Sequence, residues 1–125
     1  METFTVGYGI DIVQLEAVVT RLGTGLVVVV GGGASHVGTV VLAEPRPSRR
    51  DPSRASATAS VVNRTGHLDE GPLRAGAEQL ASRTGLPVVV TGGIHQEEVR
   101  PGDLDRIVAA CGVLFGKIAE ELEKR

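Results

Sequence analysis

Three histidines, each close to glycine, are the residues of this chain best suited to chemistry: Ser35-His36-Val37-Gly38, Gly66-His67-Leu68-Asp69 and Gly93-Ile94-His95. An imidazole can bind a metal, carry a proton or hydrogen-bond a polar ligand. Three neutral imidazoles suffice for a catalytic zinc. A small metal-dependent enzyme built on His36, His67 and His95 is therefore one reading. Their separations of 31 and 28 residues carry no local metal signature, so contacts to an anionic or polar ligand, and bonds to loop carbonyls, stand beside it.

A second cluster is the stretch EPRPSRRDPSRASATAS, residues 44–60. Five arginines (Arg46, Arg49, Arg50, Arg54 and Arg64) face only Glu44 and Asp51 within residues 44–64, a local balance of +3. The remaining chain carries eight cations against thirteen carboxylates, so the sign reverses locally. Arg46 and Ser48, braced by Pro45 and Pro47, form a stiffened R-P-S unit. Arginine can fork a phosphate bidentately and serine hydroxyls add donors, which makes Arg46, Ser48, Ser56 and Ser60 a candidate phosphate cradle. Arg49, Arg50 and Arg54, flanked by polar residues, read instead as a solvated basic loop.

Familiar nucleotide motifs are absent. In VVVVGGGASH the last glycine of G-x-G-x-x-G is replaced by His36, and VGTVVLA after it reads as strand rather than helix. G-A-S-H-V lacks the final glycine of a nucleophile elbow. The two lysines, Lys117 and Lys124, lie outside any Walker-type loop.

The elements that must position these residues follow from patterning. Phe4, Val6, Tyr8, Ile10 and Ile12 alternate on even positions, whereas Val13, Leu15, Ala17 and Val19 are odd, so a bulge or break is expected near Gly9–Ile12. Leu22-Gly23-Thr24-Gly25 reads as a hairpin turn into Leu26–Val30, a strand expected to be buried on both faces. Gly38–Ala43 is the next strand, and Pro45, Pro47 and Pro52 are expected to exclude ladder pairing after it. Ser56–Val62 resumes as strand. Gly71-Pro72 opens a helix with the stripe Leu73, Ala77, Leu80 and Ala81. Pro87–Thr91 is a short strand ending in Gly92-Gly93. A last helix, capped by Asp103, repeats Leu104, Ile107, Val108, Cys111, Leu114, Phe115, Ile118 and Leu122 at helical spacing. Strands first and helices later predict one α+β domain over residues 1–125, with a largely antiparallel sheet and two principal helices.

Bulk properties exclude several classes. A formal charge of −2 and aromatic content of 2% give neither a basic surface nor base-stacking platforms, so no nucleic-acid partner is expected. No apolar run approaches a membrane span. Cys111 is the only cysteine and reads as a packed thiol. With no leader in METFTVGYGI, a cytoplasmic location is expected. Seventeen glycines, clustered as Gly31-Gly32-Gly33, Gly66 and Gly92-Gly93, suggest close backbone approach to another chain or a ligand, at Gly32 and Gly93 in particular.

The succession G-G-x-x-S-H-V-G (residues 31–38), A-E-P-R-P-S, S-A-T-A-S-V, T-G-H-L-D-E and V-T-G-G-I-H resembles the small prenylated-flavin chaperones that accompany UbiD-type aromatic-acid decarboxylases such as gallate decarboxylase. The resemblance runs from about residue 26 to 96. It implies an α+β fold similar to the proteasome-assembly chaperones, a homodimer with packed sheets, and a non-catalytic carrier of reduced prenylated FMN that serves an apo-decarboxylase. It implies ligand contacts for His36, Arg46, Ser48, His67 and His95. Where the family pattern leads one to expect aspartate after the third histidine, this chain has Gln96-Glu97-Glu98, so Glu97 or Glu98 must supply any acidic partner. A flavin-independent scaffold for a decarboxylase is a further alternative.

Overall fold

The computed structural model describes residues 1–64 and 70–125. Six strands and two helices follow in the order β1 (Glu2–Gly9), β2 (Gln14–Leu22), β3 (Gly25–Gly33), β4 (Thr39–Pro47), β5 (Ala55–Asn63), α1 (Glu70–Thr84), β6 (Val88–His95) and α2 (Asp103–Glu123). They form one sheet of order β1-β2-β3-β6-β4-β5. All neighbours are antiparallel except β3 and β6. The α+β architecture with a largely antiparallel sheet is thus as the sequence predicts.

The parity change near Gly9–Ile12 is a full reversal of the chain. Ile10 N–H donates to Val13 O at 2.9 Å, closing the β1–β2 turn. Odd residues of β2 (Leu15, Ala17, Val19) and even residues of β3 (Leu26, Val28, Val30) then face one core. Both helices cover that same face: α1 lies on β4, β5 and β6, α2 lies on β1 and β2, and the two pack together.

The other face carries no helix. Val29, expected to be buried, is 47% exposed, and Val40, Leu42 and Val62 also lie open. A continuous apolar run therefore does not mean burial on both sides here.

Pro45 and Pro47 lie inside β4, paired with Ala57 and Ala55, contrary to the expectation that they end the ladder. Arg64 N–H bonds Gly38 O and Ser48 N–H bonds Arg54 O, so even residues of β4 direct their main chain toward β5. The odd positions point to the opposite edge. There β6 pairs only as far as Ala43. The prolines thus stand where a missing N–H costs no ladder bond. From residue 44 onward the β4–β5 hairpin runs on beyond β6 as a two-stranded arm.

Two expectations for α2 need correction. Its N-cap is Gly102, in left-handed conformation without a side-chain cap; Asp103 instead accepts Arg100 N–H at 2.9 Å. Leu104 and Val108, placed in the buried stripe by spacing, are 66% and 50% exposed. The rest of the stripe, Ile107, Cys111, Leu114, Phe115, Ile118 and Leu122, is buried.

The helices meet where Gly76 leaves room for the Phe115 ring, into which any Cβ would run. Gly76→Ala should therefore destabilise the fold by about 1–3 kcal/mol through overpacking, outweighing the roughly 1 kcal/mol that alanine adds to a helix. Urea unfolding midpoints check this, and a stabilised variant contradicts it.

Candidate functional site

β3 and β4 are sequential, yet β6 lies between them. The connecting segment, residues 34–38, must cross the end of β6, and it does so over the helix-free face. Four hydrogen bonds hold it down. Ala34 N–H donates to His95 O, Gly38 N–H to Gly92 O, Arg64 N–H to Gly38 O, all at 2.9 Å, and Arg64 Nη1 donates to Val37 O at 2.9 Å. Side chains beneath the crossing would obstruct it. A Cβ at Gly93 would stand 2.6 Å from His36 Nε2, and one at Gly31 would meet Ser35 Oγ at 2.5 Å. Glycine at 31 and 93 thus lets Ser35 and His36 lie on the sheet.

His36 Nδ1 lies 3.2 Å from Ala34 O. A carbonyl only accepts, so Nδ1 carries the proton and the neutral ring has its acceptor at Nε2. The His95 ring is edge-on to it, with centroids 6.4 Å apart and planes at 75°. His95 is the last residue of β6.

Beside this crossing is a concavity of about 570 Å³, within the roughly 300–1,000 Å³ of ligand sites. Val18 and Val29 give it apolar wall. Gln14, Glu16, Ser35, His36 and Thr91 give it polar groups, and Gly31 to Gly33 expose backbone. Thr91 Oγ1 is committed to Thr39 O at 2.9 Å. Gly32 is buried, with its vacant Cβ position toward Leu15 Cδ2 in the core, so only its backbone borders the concavity.

His36, His95, Gly32 and Gly93 are therefore brought together. Arg46, Ser48 and Ser56 are not. Arg46 is seven residues along β4 from Thr39, which pairs with Gly92, so about 23 Å of strand separates it from the imidazole end. Its Nε donates to Thr58 Oγ1 at 2.7 Å and its Nη1 to Pro47 O at 3.0 Å. Ser56 is its register partner. Ser48 Oγ accepts N–H bonds from Arg50 and Asp51 at 3.3 and 3.4 Å, so it also shapes the tip of the arm. The single-chain cradle expected from the sequence is not formed: the guanidinium and the imidazoles lie at opposite ends of the sheet. His67 lies outside the described residues, as does any triad that includes it.

Gln96, Glu97 and Glu98 line a separate depression of about 370 Å³ with Asp11, Arg100, Asp103 and Arg106. Among the described residues no hydrogen bond joins Glu97 or Glu98 to His95. The Asp11 carboxyl is held below its ordinary value, first by the Arg106 hydrogen bond and then by that residue's charge. A depressed carboxylate pKa contributes stability above the unfolded value of 3.8 and loses it as pH falls through the folded value. Asp11 should titrate below 3.8 by NMR, and Arg106→Ala should move its midpoint upward; an unmoved midpoint contradicts the pairing.

Gln14, Glu16, Val29 and Thr91 were not legible as site residues in the sequence. The signal that could have found them is parity: each shares a face with the glycines over which the crossing lies.

A mixed six-stranded sheet with helices on one face and a glycine-floored concavity on the other defines the structural class. A chain from the crystal structure of a chaperone complex for yeast 20S proteasome assembly has this fold. The TM-score is 0.56 at 16% identity, covering 98% of this chain and 95% of that one. Comparison with curated proteins gives no match. A family model described as the prenylated flavin chaperone LpdD-like domain matches residues 10–123. The chain belongs to the LpdD-like prenylated flavin chaperone family. Among the described residues, no helix is long and apolar enough to cross a membrane.

The seating of His36 gives a direct test. Gly93→Ala should lift the ring off the sheet and shift its imidazole ¹H–¹⁵N signals. Unchanged signals would mean that the crossing does not depend on the missing side chain.

Proposed function

We propose that this protein is a non-catalytic carrier of reduced prenylated FMN, delivering it to an apo-decarboxylase of the UbiD type and acting as a homodimer in the cytoplasm. The observation that carries the reading is the concavity on the helix-free face, in a chain of a prenylated flavin chaperone family. A flavin offers a broad ring with an apolar face and a polar edge. Val18 and Val29 suit the ring face. Gln14, Glu16 and His36 supply donors and acceptors for its edge, and the glycine backbone permits close approach.

The cofactor would supply decarboxylation chemistry only in the enzyme that receives it. The carrier's own residues bind, orient and release. A ligand of this size gains about 0.3 kcal/mol per heavy atom, roughly 9–11 kcal/mol in all. That corresponds to dissociation constants from below micromolar to about 10 nM, tight enough to carry and weak enough to hand over. Homodimer formation is supported by the uncovered apolar face, and the partner enzyme by the family.

Anaerobic gel filtration of the protein mixed with reduced prenylated FMN should show retention near one flavin per chain, and His36→Ala should weaken it at least roughly tenfold, about 1.4 kcal/mol. Flavin eluting freely from the native protein would overturn the reading. Transfer of the retained flavin to apo-decarboxylase, measured as recovered decarboxylation, tests delivery.

A further inference from the structure

The sheet ends at β1 on one side and at β5 on the other. A bare strand edge is a template for another strand, and proteins commonly blunt it with proline, lysine or a bulge. The arm shows that device on one side only. β4 runs past the end of β6 from residue 44, and there Pro45 and Pro47 occupy positions whose main chain faces outward. Without their N–H groups that side cannot support a ladder. β5 has no such protection. Its nine residues, Ala55–Asn63, include no proline and no charge, and its register with β4 is unbroken.

Because Arg64 N–H bonds Gly38 O and Ser48 N–H bonds Arg54 O, the even residues of β5 direct their main chain to β4. In an antiparallel pair the intervening residues turn both N–H and C=O the other way. Ala55, Ala57, Ala59, Val61 and Asn63 therefore present donors and acceptors along the outer edge. Among the described residues, no main-chain bond takes them.

Charge says what fits. Arg46, Arg49, Arg50, Arg54 and Arg64 outnumber Glu44 and Asp51 over residues 44–64. On α1, which packs against β5, Arg74 is matched by Glu70 and Glu78, and Arg83 by Glu123. Counting all of these described residues still leaves seven cations against five carboxylates. Arg54 and Arg64 bracket the two ends of β5, at even positions like the exposed Val62. Such a strand repels its own copy. Two β5 strands paired about Ala59 would set Arg54 of each opposite Arg64 of the other, and like charges directly opposite destabilise a pair. β1 offers no comparable selection, its Glu2 being paired with Arg125.

We propose that the outer edge of β5 is a docking site for an extended acidic segment of a partner protein, which joins the sheet as an added strand. In this mode main-chain bonds supply affinity and alternate side chains supply specificity. Acidic side chains at even register lie on the helix-free side, within reach of Arg54 and Arg64. Small or apolar ones at odd register lie beside Ala57, Ala59 and Val61. No residue of β5 lines the concavity, so docking here stands whether or not the concavity carries a flavin.

Hydrogen exchange on the full chain reads the edge directly. The probe is a blocked peptide of alternating glutamate and valine, about eleven residues long to span positions 54–64 at roughly 3.4 Å each. In the free protein the amides of Ala57, Ala59 and Val61 should exchange quickly between the protected amides of Thr58 and Ser60. Peptide should slow those odd-position amides at least roughly tenfold, and a lysine–valine counterpart should bind at least roughly tenfold more weakly. Odd-position amides unmoved by millimolar peptide overturn the proposal. Equal binding of the lysine peptide overturns its acidic partner. Odd-position amides already protected in the free protein, increasingly so with concentration, overturn it in favour of a second copy.

Ala59→Pro separates the edge from the fold. It removes an N–H that bonds nothing in β4, as Pro45 and Pro47 do on the other side of the arm. The urea midpoint should stay near the native one while peptide no longer slows Ala57 and Val61. Protection that survives in a folded variant contradicts docking at this edge. If the variant does not fold, the exchange result on the native chain decides alone.

Discussion

The structure depends on one steric constraint: a strand connection must cross the end of β6 with no side chains beneath it. Because β6 inserts between β3 and β4, residues 34–38 have no other short path. Gly31 and Gly93 remove the two Cβ atoms that would stand under Ser35 and His36. The crossing thereby lies on the face that the helices leave open, and that placement puts His36 beside the concavity rather than in the core. Arg64 enters the same arrangement, its guanidinium and N–H fixing Val37 and Gly38 from the β5 side.

With both helices on one face, the two sides of the sheet have different roles. The helical side is a close-packed core in which Leu15, Val28, Val30, Leu114 and Phe115 are fully or almost fully buried. It holds the strands rigid, as a site built on strands rather than long loops requires. The open side carries Val29, Val40 and Leu42 beside the glycine-floored concavity.

Much of this was legible in sequence. Period-2 alternation pointed to β1 and β2, short runs bounded by glycine and proline to the other four strands, the helical stripes from Leu73 and Ile107 onward to both helices, and the parity change after Ile12 marked a real reversal. Three things were not. A run such as Leu26–Val30 reads the same whether one face or both are covered, because apolar content does not report what lies opposite. Pro45 and Pro47 read as ladder breakers, since nothing local to them shows that β6 ends at Ala43. Above all, sequence places Arg46 and His36 ten residues apart, whereas a nearly straight β4 carries the arginine to the far end of the sheet. The strand's length decides that Arg46 and His36 do not meet within the chain.

The central claim is that the helix-free face of the sheet is the working surface. Amide chemical shifts of the protein, recorded anaerobically with and without reduced prenylated FMN, test it most directly. The account predicts shifts confined to Glu16, Val18, Val29, Gly31, His36 and Thr91, while Leu80, Leu114 and Phe115 stay in place. Shifts centred on α1 and α2, with residues 34–38 unmoved, would contradict it.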